Sequence, residues 1–191
     1  MAIRDITAAA LKEAEDSVKT FGSFKLKEPE NARVNKNNPL QKFWTEGGRV
    51  LSAKHYEAIG KKSGLTHDVF EIKLEITAEG SGENIGQKFT VFPRISFDAT
   101  EDKAPGDVTM SRRSRALLSQ FIEANGIELP TDGEGRRFLS ADILNQVFTP
   151  TGADSPVIGT LLMFEVKQTA PEDPKAPDAR WQTDVQTFME A

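Results

Sequence analysis

In the stretch VFEIKLEIT, residues 69–77, apolar and polar side chains alternate from Phe70 onward. Phe70, Ile72, Leu74 and Ile76 fall on one side of an extended chain, and charged side chains fall on the other. This period of two predicts a β-strand with one buried face and one solvent-exposed face. The rest of the fold is predicted outward from this strand.

A second alternating run, QKFTVFPRISF at residues 87–97, follows a glycine-rich turn. Its alternate apolar residues predict a core-facing side, whereas Lys88, Phe92 and Arg94 fall on the opposite side. Pro93 has no N–H group and therefore predicts an edge position or a bulge. The two runs together predict a hairpin.

Three further strands are predicted from shorter patterns. The run RVLSAKHYEAI, which begins at Arg49, precedes the hairpin, and two runs at residues 157–169 and 180–189 end the chain. The last two flank a loop that contains three prolines and three acidic residues. The sequence therefore predicts five strands, all of them after residue 48.

Helical signals separate and precede these strands. Asp5 or Thr7 is predicted to cap a first helix that ends near Thr20, and its thin apolar stripe predicts weak packing or packing on a partner. The run SRRSRALLSQFIEANGI predicts a second helix that begins at Ser111 or Ser114, with Gly126 at its C-terminal end. A short third helix is predicted at residues 140–146.

Composition limits the class of protein. A chain of 191 residues with 38% apolar side chains is long enough for one domain with polar extensions. The absence of cysteine excludes disulfides, thiolate zinc sites and cysteine nucleophiles, and fits a reducing compartment. No secretory signal and no membrane-length apolar segment is present. We therefore expect a cytoplasmic protein that does not contact a membrane.

Charge is distributed unevenly along the chain. The net charge is −5, yet residues 31–64 hold 7 basic and 2 acidic side chains, and residues 65–191 carry a net charge of −9. A basic stretch on an acidic protein marks a candidate anion-binding region, or else a solvated arm.

The element order is three strands, a helical region and two strands. This order predicts the OB-fold, a five-stranded Greek-key barrel, here with a helix between strands 3 and 4. The predicted division is an N-terminal helix and basic arm at residues 1–48, followed by an OB-fold domain at residues 49–191.

The block from HYEAIGKKSG through the hairpin to SRALLSQFIEANGI, completed by VIGTLLMFEVKQT and WQTDVQTF, resembles the single-stranded-DNA-binding OB-fold proteins of bacteriophages. The resemblance covers about residues 49–189. It implies sequence-independent coating of single-stranded DNA in phage replication, recombination or repair, in the host cytoplasm and without a cofactor. It also implies replication or recombination proteins as partners. The chain ends without the acidic tail that such proteins often carry, and its N-terminal region is a candidate for self-association into a homo-oligomer.

The DNA-binding residues that we predict combine cations with aromatic rings, as single-strand binding requires. Phe92 is predicted either to stack on a base or to pack under the N-terminal arm. Lys61 and Lys62 are predicted either to clamp phosphates or to belong to a solvated turn. Trp44 is favoured over Phe43 for stacking. Trp181 is either a stacking platform or a core residue. The set is Lys36, Lys42, Trp44, Lys54, Tyr56, Lys61, Lys62, Lys88, Phe92, Arg94, Arg112, Arg113 and Trp181.

Arg112 and Arg113 belong to this set because they crowd the predicted start of the second helix. The N-terminus of a helix favours anions, so the arginines predict either a phosphate site or a contact with a partner. Arg136 and Arg137 carry the same ambiguity.

Catalysis is not expected. His55 and His67 lack carboxylates in ligand spacing, His67 and Asp68 are read as solvated loop residues, and no nucleotide-binding or nucleophile motif is present. The alternative to DNA binding is a structural or protein-binding β-barrel, such as a virion or assembly component. The acidic charge of residues 65–191 favours that alternative.

Overall fold

The alternating run at residues 69–77 is part of a β-strand in the computed structural model, which describes residues 3–20, 42–77, 85–86, 88–169 and 182–191. At residues 18–20, 42–46, 89, 167–169 and 182–184 only the backbone is described. The elements in chain order are α1 (Ala8–Thr20), β1 (Lys42–Ile59), β2 (Thr66–Ile76), β3 (Lys88–Val91), β4 (Arg94–Ile95), α2 (Pro105–Ala124), α3 (Ala141–Val147), β5 (Leu161–Thr169) and β6 (Gln182–Glu190).

The strands form one antiparallel sheet in the order β3–β2–β1–β5–β6, and β4 also pairs with β2. β1 is long enough to pair with β5 through Lys42–Arg49 and with β2 through Gly48–Ile59. The change of partner falls at Gly48. A Cβ atom there would lie 2.7 Å from the ring of Phe164, so glycine permits this ring to pack directly on the backbone.

The prediction of a mainly-β fold is confirmed, and the predicted five-stranded barrel is not, because the described strands form an open sheet. Pro93 divides the third predicted strand into β3 and β4, which gives six strands in the described parts of the chain. The sheet does not close, because in these parts β3 and β6 are not paired with each other. The first strand begins at Lys42 rather than at Arg49, and it continues through the predicted domain boundary.

Helix α2 lies across the gap between the two sides of the sheet. The hydroxyl of Ser114 accepts a hydrogen bond from the backbone N–H of Arg94 at 2.8 Å, and that of Ser111 accepts one from Ser96 at 2.9 Å. Arg113 donates to the carbonyl oxygen of Val185 on β6 at 3.2 Å. Helix side chains therefore satisfy backbone groups that a closed barrel would pair between strands.

The core contains a chain of phenylalanine rings that joins the sheet to the helices. Phe70 contacts Phe148 with a centroid distance of 5.0 Å, and Phe148 contacts Phe121 of α2 at 5.7 Å. Phe121 then contacts Phe188 of β6 at 5.1 Å, and Phe188 lies 6.4 Å from Phe164. The edge-to-face and tilted geometries are those that aromatic pairs prefer.

Helix α1 belongs to this core, so the prediction that it packs weakly or on a partner is wrong. Leu11 and Ala14 are buried, and the helix packs on α2. Ile6 precedes the helix and exchanges two backbone hydrogen bonds with Leu139, at 2.8 and 3.1 Å. The hydroxyl of Thr7 accepts from Ala10, as the capping prediction requires.

The observed ends of α2 and α3 can be compared with the ends that the capping residues predict. α3 begins after Ser140, whose side chain accepts from Ile143, and Gly126 follows α2 with φ of +74°, so both predictions are confirmed. The predicted start of α2 at Ser111 or Ser114 is wrong. Pro105 occupies the first turn, where its missing N–H costs nothing. None of the described helices is long and apolar enough to cross a bilayer.

Replacement of Leu11 by alanine should lower the free energy of unfolding by about 2–5 kcal/mol, because a fully buried leucine leaves a cavity. Denaturant unfolding followed by circular dichroism measures this change. Lys12→Ala, on the exposed side of the same helix, is the control and should change stability by less than about 0.5 kcal/mol. Equal stability of the two variants would show that α1 is not part of the core.

Replacement of Ser111 by alanine should cost about 1–3 kcal/mol, because the buried N–H of Ser96 loses its acceptor. Ser17→Ala is the matched control, since the Ser17 hydroxyl donates only to the Ala14 carbonyl of its own helix. Thermal unfolding of both variants compares the two hydroxyls. A Ser111→Ala protein as stable as Ser17→Ala would contradict the bridging role of α2.

Candidate nucleic-acid interface

The register of β1, β2, β3 and β4 places alternate side chains on the face opposite the core, which we call the outer face. Residues opposite each other in antiparallel strands share a face, and the fully buried Leu74, Ile72 and Phe70 define the other one. The outer face comprises Arg49, Ser52, Lys54, Tyr56, Val69, Glu71, Lys73, Glu75, Lys88, Thr90 and Arg94.

Two rows across the sheet contain predicted residues, Lys88 in one row and both Tyr56 and Arg94 in the other. Glu75 is opposite both Arg49 and Lys88, so two cations flank one carboxylate. In another row Val69 is opposite both Tyr56 and Arg94. Residues from three separate sequence segments therefore lie side by side.

The outer face is locally cationic although the chain is acidic. Lys73 contacts Glu71 at 3.1 Å, which partly cancels its charge. Lys88 and Arg94 are exposed and form no ion pair with the described residues. The five cations are Arg49, Lys54, Lys73, Lys88 and Arg94, and the two carboxylates are Glu71 and Glu75.

Aromatic rings lie within and beside this face. The ammonium of Lys54 is 5.6 Å from the ring centroid of Tyr56, within the range of a cation–π interaction. Phe92 lies in the break between β3 and β4 and is 43% exposed, an unusual exposure for a phenylalanine. One ring therefore lies beside a cation on β1, and the other lies between Lys88 of β3 and Arg94 of β4 in the chain.

Lys61 and Lys62 follow the C-terminal end of β1. Both are exposed on the loop between β1 and β2. The loop is short and closed by hydrogen bonds from Gly60 N to Leu65 O at 2.9 Å and from Gly64 N to Gly60 O at 2.8 Å. The two ammonium groups therefore sit on a defined turn.

Four predicted residues fall where little or nothing is described. Lys36 and Trp181 lie outside the described residues. Lys42 and Trp44 are in β1, where the backbone register sets them opposite Gln168 and Val166.

Arg112 and Arg113 occupy the second and third turns of α2, so a phosphate site at the helix start is wrong for them. Arg112 contacts Glu13 of α1 at 2.8 Å and Glu101 at 3.1 Å. The hydrogen bond that Arg112 donates to Glu101 is the main cause that raises the pKa of Arg112. Because two carboxylates neutralise Arg112, we leave it out of the interface that we propose.

Arg136 and Arg137, in the segment between α2 and α3, are also paired with carboxylates. Arg136 contacts Asp132 and Glu134, each at 2.9 Å. Arg137 contacts Glu15 at 2.9 Å and also pairs with Glu123. The Arg136 pairs lie within one loop, whereas the Arg137 pairs join this loop to α1 and α2.

The two histidines are structural, and the prediction that His67 and Asp68 are solvated loop residues is wrong. Both lie in β2, and His67 is 4% exposed with its Nε2 3.6 Å from Asp107. His55 is hydrogen-bonded to Asp68 at 2.8 Å. No group of three metal-ligating side chains occurs among the described residues.

Glu165 is a residue that the sequence did not single out. It lies on β5 opposite Thr45 and Thr187, and its Oε1 is buried without a hydrogen-bond partner among the described residues. Burial raises the pKa of this carboxyl group. Alternation identifies β5 as a strand, but the burial of a polar residue on its outer side depends on neighbouring strands.

Comparisons of the chain with protein-family models, with curated proteins and with solved structures find no match. The geometry of the outer face therefore carries the functional proposal.

Glu165→Gln should stabilise the protein at pH 7, because the amide avoids the burial of a charge. A carboxyl pKa that is higher in the folded than in the unfolded state makes stability fall as pH rises through the interval between the two values. The gain should therefore shrink toward pH 4. Thermal unfolding at both pH values measures it, with Glu190→Gln, exposed near the C-terminus, as the control. A pH-independent gain would mean that the carboxyl charge is not the cause.

Proposed function

We propose that the protein binds single-stranded DNA without sequence preference and coats it stoichiometrically. The observation that carries the proposal is the outer face, where five cations and Tyr56 are aligned on an otherwise acidic chain, with the exposed Phe92 beside them. Cations that follow the phosphates and rings that stack on bases are the two components of such a site. No cofactor is part of this function.

The OB-fold assignment is part of the same proposal. It is supported by the antiparallel pairing of β1 with both β2 and β5 and by the helical region between β4 and β5. The OB-fold is a partly open Greek-key barrel that binds oligonucleotides through the face of strands 2 and 3. The outer-face residues of β2, β3 and β4 occupy the corresponding position in the chain order. We infer that the open sheet, bridged by α2, is a variant of this fold.

The biological role that we propose comes from the phage-protein resemblance. It is protection of single strands during DNA replication, recombination or repair, in the host cytoplasm, together with replication or recombination proteins. Self-association through the N-terminal region also stays a proposal. Because Leu11 and Ala14 of α1 are buried in their own chain, a second copy would need another surface of that region.

A structural or protein-binding role is the second candidate. Exposed apolar side chains favour it, since Ile59 is 74% and Leu161 41% exposed. The net charge of −9 over residues 65–191 also disfavours contact with DNA outside the outer face.

A mobility-shift assay with an oligo-dT strand and with a duplex of equal length separates the two candidates. The proposal expects retention of the single strand and a much weaker effect on the duplex, since only unpaired bases can stack on the rings. Indifference to both would favour the protein-binding candidate.

Lys88→Gln and Arg94→Gln should each weaken oligo-dT binding and reduce its salt dependence. On a logarithmic plot of affinity against salt, each lost phosphate contact removes about 0.7 from the slope for a single strand. Fluorescence anisotropy between about 50 and 200 mM salt measures the slope. Arg136→Gln is the matched control, because Arg136 is already neutralised by Asp132 and Glu134 and should leave the slope unchanged. Equal slopes for all three variants would exclude the outer face as the binding surface.

A further inference from the structure

A pocket of about 440 Å³ opens where β3, β4, α2 and β6 meet. It lies at the gap that α2 bridges. Its volume falls within the range of small-molecule sites. The pocket therefore has room for a ligand the size of one nucleotide.

One side of the pocket is apolar. Leu117 of α2 and Val185 of β6 are buried, and Val91 is partly buried against the same core. Phe92 and Met110 complete this side, the first exposed and the second half-buried. A planar ring that enters would contact a phenyl face and a thioether, which are both favourable partners for aromatic groups.

The polar side chains of the pocket favour an anion. Arg94 and Arg113 line it from β4 and α2, and no carboxylate lines it among the described residues. Arg113 donates to the Val185 carbonyl with Nη2, whereas Arg94 is exposed and forms no ion pair with the described residues. An arginine is well suited to a phosphate because its donors form a planar fork.

We propose that this pocket binds one nucleotide of a single DNA strand, with the base against Phe92 and Met110 and the phosphate at Arg94. The inference rests on the proposed function and deepens it. Thr90 and Arg94 belong both to the outer face and to the pocket lining, so a strand on the outer face reaches the pocket without a gap. A base in a duplex cannot enter, which gives the protein a reason to prefer single strands.

Methionine methyl groups report on the pocket directly. The chain has four methionines, of which Met110 lines the pocket, whereas Met163 on β5 and Met189 on β6 do not. With the methionine methyls labelled with ¹³C, the probe is the dinucleotide pTpT, added to the full chain and followed by NMR. We expect the Met110 resonance to shift while the Met163 and Met189 resonances stay in place.

Two variants test the two parts of the ligand. Phe92→Leu keeps apolar volume and removes the ring, and it should weaken the affinity for pTpT by at least about fivefold, the least expected from losing one base stack. Arg94→Gln should weaken pTpT binding and leave the binding of free thymidine unchanged. Arg136→Gln, remote in sequence and already paired, is the control for both. Unchanged resonances elsewhere in each spectrum show that the variants are folded.

The outcomes separate the pocket from the proposed function. If oligo-dT binds but neither oligo-dT nor pTpT shifts the Met110 methyl resonance, the pocket inference is overturned. Coating by the outer face then stands. If pTpT moves Met110 and oligo-dT is not retained, the pocket holds nucleotides and the coating function is wrong. If neither ligand has an effect, both are wrong. Deoxyribose 5-phosphate, which lacks a base, must shift Met110 less than pTpT; an equal shift would reduce the pocket to an anion site and overturn the recognition of a base.

Discussion

Two serine hydroxyls and one guanidinium of α2 join two strand edges that do not pair with each other in the described structure. Ser111 and Ser114 accept from the backbone of Ser96 and Arg94, and Arg113 donates to Val185 on β6. A buried backbone group without a partner costs free energy comparable to a lost hydrogen bond, so these contacts fix how far apart the edges lie. A sheet held open by a helix has a gap that direct strand pairing would remove, and the pocket lies in that gap.

The outer face depends on the same contacts. β4 is only two residues long and pairs with β2 through Asp68 and Val69, which is too short to fix a strand by itself. With α2 bonded to its other edge, β4 is held from both sides. Arg94 is then fixed beside Val69 and Tyr56, and Phe92 is held at the break that Pro93 creates. The position of Arg94 is therefore set in part by a helix that contributes little to the outer face.

Local patterns predict much of this structure, and long-range contacts decide the rest. Alternation predicts β2, and the capping residues Ser140 and Gly126 predict the start of α3 and the end of α2, because those signals act within a few residues. The start of α2 at Pro105 is hard to predict, because the surrounding segment is polar and Ala104 provides no side-chain cap. The sequence does not predict that the sheet stays open, because this depends on long-range hydrogen bonds. Ser111 accepts from Ser96, 15 positions away, and Ser114 accepts from Arg94, 20 positions away. Alternation predicts that Lys88 and Arg94 share one face of the sheet. Their positions relative to Arg49 and Tyr56 depend on the register between strands, which the sequence alone does not give.

Net charge predicts poorly where such a protein can bind DNA, because paired and unpaired cations count equally in it. Arg112, Arg136 and Arg137 are each neutralised by two carboxylates, and those pairs join α1, α2 and nearby loops. Exposed pairs of this kind contribute little to stability, but they remove cations from the surface that a strand would encounter. Lys88 and Arg94 have no such partners among the described residues. An acidic chain can therefore present one cationic face, and its remaining negative surface disfavours other positions of a bound strand.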